Sequence, residues 1–160
     1  MNTQYHVEDP IKHAKAIAAQ LKALPSAKRF AAETLEAVYS LAYHALQQGQ
    51  HGRAIRYFAV LMLYAPADVR FVAGLAVAHQ LVGNYEYALH LYAMAVLLQP
   101  DRTQFALRMA ECLLHLGGRD ESRHILELTA RFCEEEGRDE AVRLRAQALL
   151  DLLPHERAAA

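Results

Sequence analysis

The chain has no tryptophan, two cysteines, five prolines and seven glycines in 160 residues, and a formal net charge of −1. Each shortage excludes a class of protein. Cys112 and Cys133 cannot build a disulfide framework and read as reduced thiols of a cytosolic protein. So little Pro and Gly excludes collagen-like and low-complexity chains. The near-neutral charge lacks the basic field that direct nucleic-acid binding needs. The longest uncharged apolar run, Phe58 to Pro66, falls short of the roughly 18 to 20 residues of a membrane span. No secretion signal is legible, because Glu8 and Asp9 precede the apolar part and Lys15, Gln20 and Lys22 interrupt it. A cytoplasmic location is therefore expected. What the chain does have is 54% hydrophobic and 22% charged residues, enough for one domain with a real core. Ala and Leu dominate over β-branched residues, which favours helices, and Ala lets helices approach closely.

That alanine is not scattered. Gly49, Gly83 and Gly117 recur at intervals of 34 residues (83 − 49 and 117 − 83). The same interval relates Ala42, Ala76 and Ala110; Ala54, Ala88 and Ser122; Leu41, Leu75 and Met109; and Pro66 with Pro100. A period of about 34 is that of the tetratricopeptide repeat, a helix–turn–helix unit. The small residues mark where paired helices cross, Gly closes the first helix, and Pro ends the second. Phe58, Tyr92 and Leu126 fill the space between pairs. The predicted fold is an all-α, right-handed superhelix of three such repeats, with units Leu35–Asp68, Val69–Arg102 and Thr103–Glu134. The third is degenerate, with Thr129 at a small position and Glu134 where Pro is expected. The tryptophan usual near the start of a repeat is replaced by Val38, Val72 and Ala106.

Residues 1–34 form an N-terminal arm in which Pro10–Leu24 has helical apolar spacing. Its basic residues suit the solvated face of a capping helix. Alternatively, Ile11, Ile17 and Leu21 form the stripe of a self-association arm and make the protein a homodimer. Residues 135–160 contain a final helix over Gly137–Leu153, with Ala141, Leu144, Ala148, Leu149 and Leu152 spaced to cap the stack.

Catalytic patterns are missing. There is no phosphate loop and no Gly-x-Ser-x-Gly elbow. Cys112 with His115 is a lone pair without the further ligands a metal needs. An enzyme, a cofactor and a metal are therefore not expected. The site is instead the concave face lined by the first helices of the repeats. The first unit presents Glu36, Tyr39, Tyr43, Leu46 and Gln47. The second presents Arg70, Ala73, Val77, Gln80 and Leu81, with Gly74 beside them and Phe71 facing either the groove or the neighbouring helix. The third presents Gln104, Leu107, Glu111, Leu114 and His115. Arg70 is the one fixed cation in this lining, so apolar anchors of a ligand, held by desolvation, are expected to dominate. Gly74 would let a ligand backbone come close.

The stretches Thr34–Ala42, Arg70–Leu75 and Ala110–Leu114 together resemble the class II chaperones of type III secretion. The resemblance spans about Leu35 to Leu128. It implies three repeats, frequent homodimers, and a groove that takes an extended segment of a hydrophobic translocator protein through Pro and Leu anchors. The family's aromatic groove residues match Tyr39 and Tyr43, and its Arg-Phe pair matches Arg70 and Phe71. The chain departs at Leu46 and His51, where close relatives often carry Tyr. Two other classes are compatible with the repeats: an adaptor or scaffold that binds folded partners, and a transcriptional co-regulator.

Overall fold

The computed structural model describes residues 30–153 together with Ala16, Ala19, Gln20 and Ala23. Of the expected N-terminal helix, Ala16, Ala19 and Gln20 are helical, whereas Ile11, Ile17 and Leu21 lie outside the described residues. Among the described residues the fold is all-α. Its helices are α1 (Ala32–Gln47), α2 (His51–Tyr64), α3 (Val69–Leu81), α4 (Tyr85–Leu98), α5 (Thr103–His115), α6 (Arg119–Glu136) and α7 (Glu140–Leu152). Each packs on the next in sequence, α1 also touches α3, and α5 touches α7. Contact limited to near neighbours is the mark of a repeat stack.

The glycine column makes the turns. Gly49, Gly83 and Gly117 have φ of 71°, 79° and 84°, a left-handed conformation that costs any residue bearing a Cβ about 1 kcal/mol. Beyond each glycine the next N–H reaches back five residues to a helix carbonyl: Gln50 to Ala45 at 2.8 Å, Asn84 to His79 at 2.9 Å and Gly118 to Leu113 at 2.9 Å. Three turns of one geometry therefore reverse the chain identically, and the helix pairs stack in register.

The small-residue columns sit where expected. Ala42, Ala76, Ala110, Ala54, Ala88 and Ser122 are all 0% exposed. Ser122 carries the only hydroxyl of the six, and it donates to the Ala110 carbonyl at 2.9 Å, so its burial leaves no polar atom unpaired. Phe58, Tyr92 and Leu126 are buried between pairs, and the Tyr92 hydroxyl donates to Gln80 Oε1 at 2.7 Å.

The third repeat departs for a chemical reason. Helices α2 and α4 have 14 residues each, but α6 has 18. Pro66 and Pro100 follow α2 and α4; Glu134, at the matching position, keeps its N–H and lets α6 run on. It stops at Gly137, again left-handed at φ 61°. The 34-residue interval ends there. Thr103 Oγ1 donates to Asp139 Oδ2 at 2.6 Å, a separation of 36 residues. The fully buried Ala110 and Ala146 are also 36 apart (146 − 110).

This slip corrects the face expected for the last helix. The side that packs on the third repeat is Val142, Ala146, Leu149, Leu150 and Leu153, while Ala141, Leu144, Ala148 and Leu152 face solvent. Helix α7 carries Ala and Leu on two stripes, so apolar spacing alone does not choose between them. The close approach at Ala146 does.

A packing test follows. Ala88→Val is expected to cost about 1–3 kcal/mol through overpacking, seen as a lower urea midpoint at unchanged m-value. Leu144→Ala, on the exposed stripe, should shift stability by no more than about 0.5 kcal/mol. The reverse ranking would refute the assigned faces.

Candidate peptide-binding groove

A cavity of about 270 Å³ opens on the concave side across all three repeats. Helix α1 contributes Tyr39, Tyr43 and Leu46; α3 contributes Val69, Arg70, Ala73, Gly74 and Val77. Gln104, Phe105 and Arg108 come from α5, and Arg102 from the turn before it. The buried rings of Phe58 and Tyr92, from the second helices, form its floor. They contribute to the lining although each is only 1% exposed, next to the small Ala73 and Gly74.

Gly74 has a different task from the one expected. A Cβ placed there would lie 2.7 Å from Phe58 Cδ1 and closer still to Cε1 and Cζ. The space beside Gly74 holds the Phe58 ring, in place of the ligand backbone expected there. The glycine therefore sets how deeply α2 and α3 interlock, and so how high the aromatic floor stands.

Tyr39 is the hub of the aromatic wall. Its ring lies 6.4 Å from Tyr43, 6.1 Å from Phe58 in an edge contact, and 5.6 Å from Phe71. The Arg70 guanidinium sits 5.1 Å over Tyr39 and 5.3 Å over Phe71, within cation–π range. Phe71 itself is buried and lies outside the cavity lining; it backs the wall through its contact with Tyr39. Arg70 is fixed by two carboxylates, with Nη2 2.7 Å from Asp68 Oδ2 and 2.6 Å from Glu36 Oε1. The hydrogen bonds it donates to Asp68, then to Glu36, make its proton still harder to remove than in a free guanidinium. Asp68 Oδ1 also accepts the Arg70 backbone N–H at 3.0 Å and so caps α3.

Of the residues expected from sequence, Tyr39, Tyr43, Leu46, Arg70, Ala73, Gly74 and Val77 share this cavity. Gln47 and Leu81 are exposed outside it. Leu107 and Glu111 line a neighbouring cavity of about 360 Å³ between α5 and α7, which shares Gln104 and Arg108 with the first. There Glu111 accepts from Arg108 at 3.0 Å and from Arg145 at 3.2 Å, tying the last helix to the third repeat. The sequence reading of Arg70 as the one fixed cation is corrected, since Arg102 and Arg108 line the same cavity. Helical spacing does not reach Arg102, which precedes the first residue of α5. Nor does it reach the floor, because Phe58 and Tyr92 are also the residues that fill the space between pairs. The small Ala73-Gly74 pair opposite them was the available signal.

Cys112 and His115, a lone pair in sequence, go separate ways. Cys112 is fully buried, and burial pushes its thiol up to about 11. His115 stacks flat on Tyr85, with ring centroids 4.0 Å apart. Among the described residues no group of three or more His, Cys, Asp or Glu gathers to hold a metal ion.

Known proteins share this groove-bearing stack. No family model matches the chain. The solved structure of PcrH, from Pseudomonas aeruginosa, in complex with the chaperone binding region of PopB is 30% identical with a TM-score of 0.71. That match covers 76% of this chain and 98% of PcrH. The chain belongs to the type III secretion translocator chaperones. SycD of Yersinia enterocolitica, solved with a peptide of the translocator YopD, is 28% identical with a TM-score of 0.73, covering 79% of this chain and 96% of SycD. Low calcium response locus protein H of Yersinia pestis is 29% identical over 121 residues, 76% of this chain and 72% of that protein. These relatives are chaperones, not enzymes.

The Gly74 contact is testable. Gly→Ala inside a helix ordinarily gains about 1 kcal/mol; here Gly74→Ala should instead destabilise by about 1–3 kcal/mol because Phe58 has no room to retreat. Urea denaturation measures the sign, and a stabilised variant would contradict the floor geometry.

Proposed function

We propose that this chain is a cytoplasmic chaperone that holds a hydrophobic type III translocator protein by an extended segment laid in the concave groove. The observation that supports it is the cavity itself: aromatic and aliphatic side chains from three repeats converge on one opening. Its 270 Å³ falls near the lower end of small-ligand pockets, about 300 Å³. That is room for a few side chains of an extended segment, not for a folded domain. Relatives solved with the chaperone binding region of PopB and with a YopD peptide support the same occupant. Pro and Leu anchors suit it, because Pro pre-sets an extended backbone and Leu fills an aromatic-walled pocket.

The mechanism needs no nucleotide. Each apolar anchor buried against Tyr39, Tyr43, Val77 and the Phe58–Tyr92 floor contributes about 1.5–3 kcal/mol, so two or three offset the cost of ordering the segment. Aromatic contacts and the Arg70 ion pairs hold the wall in place, which keeps that cost low. Covering the anchors removes the apolar surface through which the client would aggregate or enter a membrane prematurely. No helix among the described residues is long and apolar enough to cross a membrane.

Tyr43→Ala and Ala73→Glu each alter the lining while leaving the buried columns untouched. Both are expected to weaken binding of a translocator segment about ten-fold or more, the equivalent of one anchor. Co-expressed translocator should move to the insoluble fraction, while the variants keep wild-type circular dichroism. Capture at wild-type strength by both would overturn the groove assignment. We also propose that the arm bearing Ile11, Ile17 and Leu21 joins two copies. Sedimentation should then show the Ile17→Asp, Leu21→Asp double variant at half the wild-type mass; an unchanged mass would remove that role.

A further inference from the structure

The repeat register exposes a charge asymmetry inside the groove. One repeat position is occupied in turn by Glu36, Arg70 and Gln104, and another by Asp68 and Arg102, each step being 34 residues (70 − 36, 104 − 70, 102 − 68). At the first junction these positions complete a closed ion cage. Arg70 bonds Glu36 of the preceding repeat at 2.6 and 3.3 Å and Asp68 of its own turn at 2.7 and 3.1 Å. At the second junction the acid of that turn has become a cation, Arg102, and the cation of the helix has become a neutral amide, Gln104.

No carboxylate among the described residues supplies a counter-charge there. Among the described residues three guanidinium groups line the cavity and no Asp or Glu does. Arg70 is held by Glu36 and Asp68, and Arg108 by Glu111, which is itself shared with Arg145. Among the described residues Arg102 has no ion pair or side-chain hydrogen bond, and neither does Gln104. Both are exposed and share the cavity lining with the apolar Tyr92 and Phe105 rings.

We propose that Arg102 is a specificity-determining residue that pairs with an Asp or Glu of the bound segment, lying next to its apolar anchors, with Gln104 as an additional donor to the same carboxylate. The ligand thus supplies at the second junction the acid that Asp68 supplies at the first. This rests on the groove reading above. It adds a polar selection rule to a site otherwise filled by desolvation: apolar anchors give affinity, and one carboxylate fixes register along the groove. A guanidinium suits the task because its planar fork takes both carboxylate oxygens.

The experiment uses the full chain and synthetic Pro/Leu-anchored peptides that differ only in a Glu or Gln placed at successive positions beside the anchors, with affinity read by fluorescence anisotropy. At one position Glu should bind about three-fold tighter than Gln at low salt, the scale of an exposed pair. The difference should shrink as salt rises and vanish in Arg102→Gln. Arg102→Glu should prefer a Lys peptide over a Glu peptide at that position. Arg102 has no side-chain partner to lose, so these variants fold as the parent does. Equal affinity for Glu and Gln at every position, or a preference that survives in Arg102→Gln, would overturn the proposal. If the Gln peptide still binds and is weakened by Tyr43→Ala in that case, the groove reading stands alone. Peptides that bind the wild type and Tyr43→Ala alike overturn both.

Discussion

Everything in this molecule depends on how closely its paired helices approach. Six positions, Ala42, Ala54, Ala76, Ala88, Ala110 and Ser122, have no exposed surface, and none carries more than one heavy atom beyond Cβ. Side chains of that size let two backbones come nearer than the usual 8–10 Å between helix axes. Close pairs leave the larger residues nowhere to go except between pairs, and there Phe58, Tyr92 and Leu126 set the spacing of the stack. The concave surface is a consequence of that spacing.

The groove inherits its chemistry from the same constraint. Gly74 admits the Phe58 ring so tightly that a Cβ would overlap it, and that buried ring lines the floor of the cavity. Tyr39 then meets Phe58, Phe71 and Arg70 at once. A wall braced on three sides does not have to be ordered by the ligand, so more of the desolvation free energy appears as affinity. The ion pairs of Arg70 are exposed and contribute little to stability themselves. Their value is positional, because they keep a charged group flat against the aromatic wall.

Much of this was legible in the chain. The 34-residue columns named the buried small residues, the left-handed glycines and the interpair aromatics, because each column follows from a local steric rule that repeats. The first-helix side chains Tyr39, Tyr43, Leu46, Ala73 and Val77 were placed on the cavity by helical spacing alone. Phe71, expected at the groove by resemblance but free by spacing to face the neighbouring helix, is buried behind Tyr39. Leu41, in the same column as the buried Leu75, is 56% exposed, because α1 has no preceding repeat among the described residues to cover it. Column membership does not see the end of the stack.

The sequence by itself determined the repeat, its turns, its packing columns and the apolar character of the first-helix face, since these depend on contacts within one repeat or between identical neighbours. Only the tertiary structure decided where that regularity breaks. Glu134 lets α6 run past the point where Pro66 and Pro100 end the equivalent helices, and this shifts α7 by two residues and turns a different stripe inward. Only the tertiary structure brought Arg102 and Arg108 into the cavity with Arg70, and showed which of the three already has a carboxylate. Those outcomes depend on which groups meet across repeats, and a period read along one chain says where equivalent residues stand, not which partners they find.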